Sequence, residues 1–161
     1  MHSREAFITI IKENEGIIYK IARVYTEDRE DQKDLYQEIV YQLWKSFDSF
    51  QGKSKVSTWM YRVALNTSIG HLNRQKRKGH SVKVDNQLLN LAEESDDVME
   101  ERMHLLYSHI KKLSVVEKGI ILLYLEGKTY DEIAAITGFT SSNVGTRLGR
   151  IKQKLKTNIQ N

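Results

Sequence analysis

Proline is absent from this chain, and glycine supplies only nine of its 161 residues. A β-sandwich or barrel turns roughly every 8–12 residues and draws on those residue types to do so. Without that punctuation, long helices are the fold left open. Cysteine is absent too, which removes disulfides, zinc ribbons and thiol catalysis together. No run of about 18 apolar residues marks a membrane span. The first residues, MHSREAF, have neither the basic region nor the apolar stretch of a secretory signal. Hydrophobic residues make up 40% and charged residues 29%, an ordinary globular balance. The expectation is a soluble, cytoplasmic, all-α protein of one domain or two small ones.

Apolar residues recur at helical spacing over 4–25, and Leu35, Ile39, Leu43 and Phe47 form a stripe four apart. FQGKSKVS (50–57) interrupts the pattern and reads as a loop. Helical spacing resumes at Trp59, Met60, Val63, Ala64, Thr67 and Leu72, then fades in the basic cluster 73–79. Residues 79–97 are polar and then acidic, the best candidate for a linker, which divides the chain into 1–78 and 98–161. In the second half, Ser114–Glu117 and Thr129–Glu132 both fit a capping box, in which hydroxyl and carboxylate satisfy free N–H groups at a helix start. IILLYL (120–125) suits a buried strand by composition, but the cap before it and Gly127 after it favour a buried helix.

Charge is arranged in blocks. Residues 27–38 hold six acids and two bases, 52–84 eight bases and no acid, 85–101 seven acids and no base, and the chain after Glu132 five bases and no acid. Any single block fits a solvated helix face. Two acid-free basic blocks in one small chain point to a polyanion, and hence to nucleic acid.

The stretch from Thr129 to Leu155 has the signature of a helix-turn-helix. Ala134 lets two helices cross closely, Gly138 permits a left-handed turn, and Val144 plugs the core from the second helix. Val144, Leu148, Ile151 and Leu155 form the apolar stripe of that helix. Ser142, Asn143, Thr146, Arg147 and Arg150 are expected on its outer face, suited to a major groove. Arg147, placed opposite the stripe, is the first choice for a base-edge contact. Lys152, Lys154 and Lys156 suit phosphates, which position without specifying. Gly145 and Gly149 each weaken this helix by about 1 kcal/mol relative to alanine.

Residues 47–78 mix bases with aromatics, as a single-strand surface would: rings stack on unpaired bases and cations hold the backbone. Trp59, however, sits at a spacing that also suits a core position. Here the sequence resembles a known family. DLYQEIVYQLW (34–44), FDSFQGKSKVSTWMYRVALN (47–66) and KRK (76–78) are similar to region two of bacterial sigma factors. TYDEIAAITGFTSSNVGTRLGRIKQKL (129–155) is similar to region four, and the layout resembles the extracytoplasmic-function (ECF) type of the sigma-70 family. Gly70 departs from the acid that many relatives carry there.

That resemblance implies two small helical domains joined by a polar, acidic linker, and a transcription initiation factor rather than an enzyme. It implies that Asp34, Gln37, Glu38 and Trp44 dock on the clamp helices of the polymerase β′ subunit. It implies that Phe50, Lys53, Lys55, Trp59, Arg62, Asn66, Arg74, Lys76 and Arg77 meet the minus-ten element, capturing a base flipped from the non-template strand. It implies that Ser142, Asn143, Thr146, Arg147, Arg150 and Lys154 meet the minus-thirty-five duplex, with the β flap beneath. An anti-sigma protein commonly holds such chains inactive, and the acidic linker would lie along the RNA exit path. No cofactor, metal or membrane insertion is implied. Glu101-x-x-His104 is half of a di-iron motif whose other carboxylates are missing. A polymerase-independent helix-turn-helix regulator and a helical adaptor stay open as alternatives, and binding to core RNA polymerase separates them.

Overall fold

The computed structural model describes residues 4–50, 55–78 and 98–160. Lys53 and the expected linker 79–97 lie outside the described residues. Seven helices, and no strand, occur among them: α1 (Arg4–Val24), α2 (Arg29–Phe47), α3 (Val56–Arg77), α4 (Val98–Ile110), α5 (Val115–Leu125), α6 (Tyr130–Thr137) and α7 (Ser141–Gln160).

In the first half, α2 packs between α1 and α3 through the four-apart stripe: Leu35, Ile39, Leu43 and Phe47 are all buried. Asp28 caps α2 by accepting from the Asp31 N–H at 2.8 Å, and Glu30 and Asp31 add negative charge at the positive helix end. The apolar pattern of α3 fades after Leu72, yet the helix runs on to Arg77. Bases in a last turn favour the negative end of the helix dipole, and Arg74 is further held by an ion pair to Glu38 on α2.

Both expected capping boxes form. Ser114 accepts from Glu117 N–H while the Glu117 carboxylate accepts from Ser114 N–H, and Thr129 and Glu132 do the same. The apolar run 120–125 is helical, and Ile120 through Leu123 are buried. Gly138 ends α6 at φ +87°, a conformation that glycine adopts without strain. Thr140 then accepts from Asn143 N–H at 3.0 Å and starts α7, whose Val144, Leu148 and Ile151 are fully buried and Leu155 nearly so.

The two halves share one contiguous core. α3 lies against α6, and α1 against α5. The halves also come close at Gly119, where an added Cβ would lie 3.1 Å from the Tyr25 hydroxyl and 3.3 Å from Leu65. Tyr25 Oη donates to the Val115 carbonyl at 2.8 Å, and Lys20 pairs with Glu126 at 2.7 Å. No described helix is long and apolar enough to cross a membrane.

Candidate nucleic-acid interface

Three surfaces carry the residues singled out in the sequence. The first is the outer face of α2. Asp34, Gln37, Tyr41 and Trp44 follow at steps of three and four and so share one side of the helix. All four are exposed, Tyr41 by 58% and Trp44 by 46%. Trp44 meets Phe7 edge-on with ring centroids 5.0 Å apart. Beside them a groove of about 630 Å³ runs between α1 and α2, its apolar lining including Ile8, Tyr36, Val40 and Tyr41. These groove residues were not singled out in the sequence. The signal was there, since Tyr41 continues the Asp34–Gln37–Trp44 stripe, but exposed aromatics are individually unremarkable.

Glu38 differs from its neighbours on this face. It leans toward α3, where Arg74 Nη2 donates to one carboxylate oxygen and His71 Nδ1 lies 3.3 Å from the other. His71 is buried, and its Nε2 lies 2.9 Å from Asp31. A His–Arg–carboxylate clasp thus fastens α2 to α3 and occupies both Glu38 and Arg74.

The second surface is a stripe along α3. Lys55, Trp59, Arg62 and Asn66 follow at steps of four, three and four. Lys55, Arg62 and Asn66 are exposed and Trp59 is half-buried. Trp59 stacks on Phe50 at 5.0 Å and leans on Phe47 at 5.9 Å, so it serves partly as core and partly as surface. Arg62 crosses to the second half, where Nε and Nη2 donate to the Ala135 carbonyl of α6 at 3.0 and 2.6 Å. Lys76 and Arg77 are exposed at the end of the helix.

The third surface is α7. Ser142, Thr146 and Arg150 follow at steps of four, with Gly149 three residues after Thr146, and all stand away from the buried stripe. Ser142, Thr146 and Arg150 are exposed, and no stripe residue lies three or four positions from Arg150. Arg147 departs from expectation. It lies three residues after Val144 and four before Ile151, so it borders the stripe instead of opposing it. Its guanidinium sits 4.4 Å over the Phe139 ring, and its Nε donates to Asn143 Oδ1 at 2.7 Å. Asn143 is therefore a partner of Arg147.

The lysines beyond are not all free. Lys154 pairs with Glu117 of α5 at 2.7 Å. Lys152 bonds to the Tyr124 hydroxyl, which raises its pKa. Burial pushes the Glu117 carboxyl up, but bonds from Lys154 and Ser114 outweigh it and hold the group below the ordinary carboxylate range. No group of His, Asp and Glu among the described residues is placed to hold a metal ion.

Comparison with known proteins places these surfaces in context. The family models for sigma-70 region 2 and sigma-70 region 4 match residues 10–78 and 103–155. The ECF RNA polymerase sigma-E factor of Escherichia coli K12 is 30% identical over 142 residues, covering 81% of this chain and 74% of that protein. Its namesake from Haemophilus influenzae is 27% identical over 155 residues, covering 88% and 82%. Among solved structures, CnrH in complex with the cytosolic domain of CnrY superposes with a TM-score of 0.73 at 18% identity, over 98% of this chain and 90% of that one. The sigma factor RpoE, in complex with the anti-sigma factor NepR from Bartonella quintana, gives the same TM-score and identity over 97% and 98%. At that identity the likeness is one of fold.

Proposed function

The chain belongs to the sigma-70 family, as an ECF-type transcription initiation factor that directs RNA polymerase without being an enzyme, and from that premise we propose how its three surfaces divide the work. Residues 1–78 act as region two and 98–161 as region four, with 79–97 as the linker. The exposed stripe Asp34–Gln37–Trp44 docks on the β′ clamp helices, and the apolar groove beside it receives side chains of that partner. Glu38 shapes this face from behind, through Arg74 and His71.

The stripe Lys55–Trp59–Arg62–Asn66 carries the reading of the minus-ten element, and this is the observation on which the proposal rests. Cations, an aromatic face and an amide are set in line along one helix, with Phe50 stacked on Trp59. Such a row suits a splayed single strand, whose bases stack while its backbone follows the positive charge. Lys76 and Arg77 extend the basic track, and Arg74 extends it only by leaving Glu38. Arg62 reaches DNA only by releasing the Ala135 carbonyl, so melted-strand binding and this contact between the halves exclude each other. Ser142, Thr146 and Arg150 face the minus-thirty-five groove, flanked by Arg147 and Lys154, while the β flap supports region four. The chain works in the cytoplasm with core polymerase and promoter DNA. The anti-sigma complex of RpoE supports an anti-sigma partner here as well.

Run-off transcription with core polymerase on a promoter library tests the reading. Wild type should yield discrete transcripts. Asn66→Ala should bind promoters but leave thymines near the start site unreactive to permanganate. Binding of duplex without polymerase, and no transcripts, would instead identify an independent regulator.

A further inference from the structure

Arg147 of α7 is held by two different side chains, Phe139 and Asn143. Its guanidinium carbon lies 4.4 Å from the centre of the Phe139 ring, and its Nε donates to Asn143 Oδ1 at 2.7 Å. Phe139 comes from the turn of the helix-turn-helix and is itself packed against the core. Asn143 sits one turn earlier on α7, and its backbone N–H is held by Thr140. Two elements of the motif thus fix one side chain that would otherwise sample many rotamers. With Nε occupied, the two terminal nitrogens remain as an end-on fork, the geometry that meets two oxygens of one phosphate. Arg147 lies beside the apolar stripe, at the edge of the face that carries Thr146 and Arg150, and the edge of a helix seated in a groove is the part nearest the phosphate wall.

We propose that Phe139 and Asn143 are positioning residues that hold Arg147 as a pre-formed clamp for a DNA backbone phosphate. The proposal rests on α7 entering duplex DNA, as assigned above. Pre-organisation lowers the entropy lost on contact, so its removal weakens binding while the charge remains. It assigns Arg147 to positioning, in place of the base-edge contact expected from the sequence.

A phosphate contact is independent of sequence, so a short random-sequence duplex is a sufficient probe. Fluorescence anisotropy with the full chain, at salt from roughly 50 to 200 mM, gives affinity and salt slope together. Arg147→Ala should reduce the slope of log K against log salt by about 0.9, the value for one phosphate. Phe139→Leu and Asn143→Ala should leave the slope intact and weaken binding by about two- to tenfold. Phe139→Tyr, which keeps the ring, should restore it. In the Arg147→Ala background neither positioning substitution should have any further effect.

Should Phe139→Leu disturb the fold in circular dichroism, the exposed Asn143→Ala carries the same test. Losses of equal size with and without Arg147 would make both residues merely structural and overturn the proposal. An unchanged slope in Arg147→Ala would overturn the phosphate assignment, while duplex binding by wild type left the reading of α7 standing. No salt-dependent binding by wild type would overturn that reading and the clamp with it.

Discussion

Charge reversal at Asp34 and at Glu38 separates docking from scaffolding on α2. The two residues are one turn apart and carry the same charge, yet the structure gives them different work. Asp34 is exposed, and its side chain has no hydrogen bond or ion pair among the described residues. Glu38 accepts from Arg74, whose side chain is 51% exposed, and faces His71, whose side chain is 9% exposed. An exposed ion pair contributes about 0.2–1 kcal/mol. A shielded bond to a charged group contributes about 1.5 kcal/mol at the low end, which suits the long His71 contact. Glu38→Lys loses both, near 2 kcal/mol in all by these scales, and sets a cation against Arg74. At about 2–4 °C per kcal/mol for a chain of this size, its melting temperature should fall by roughly 4–8 °C. Asp34→Lys, a surface change, should stay within about 0.5 kcal/mol of wild type. It should nevertheless reduce affinity for core polymerase by about tenfold at moderate salt, because it places like charge against a basic partner. Calorimetry and co-elution with core enzyme measure the two effects. If Glu38→Lys melts with wild type, the clasp between α2 and α3 contributes nothing. If Asp34→Lys co-elutes unchanged, the docking face lies elsewhere.

Three further outcomes follow from contacts described above. Tyr25→Phe removes the buried donor to the Val115 carbonyl between the halves; this should cost about 1 kcal/mol and shift melting down by about 2–4 °C, in one transition that includes both halves. Glu117 has a folded-state pKa below its unfolded value, so its contribution is present above the ordinary carboxylate range and disappears as pH falls through the folded value. The stability gap between wild type and Glu117→Gln should therefore be widest near neutral pH and close in acid, as urea melts across pH would show. A Cβ at Gly149 would meet nothing within 4 Å, so Gly149→Ala should stabilise α7 by about 1 kcal/mol. If the helix enters a groove on that side, the same substitution should weaken duplex binding, which calorimetry and anisotropy on one sample would reveal together.

The features legible in the sequence are those whose cause is local. Capping boxes join residues three apart, a helix stripe joins residues three or four apart, and the left-handed turn at Gly138 depends on one residue's missing Cβ. The order of residues alone was therefore enough to place Ser114, Thr129 and the stripe from Val144 to Leu155, and to assign the all-α class. The basic and acidic blocks were equally plain, because charge is read off the composition of a segment. What tertiary structure decided is which of those charges are spent. Glu38 lies 36 residues from Arg74, Arg62 73 from Ala135, and Lys154 37 from Glu117. No periodicity links such pairs, since they meet only when helices pack at a particular crossing. The same packing set Arg147 against Phe139 at the margin of the stripe, and brought α3 against α6 so that the two halves share a core. Burial drives that association without direction, so the sequence displays the apolar faces, and only the fitted side chains determine which face meets which.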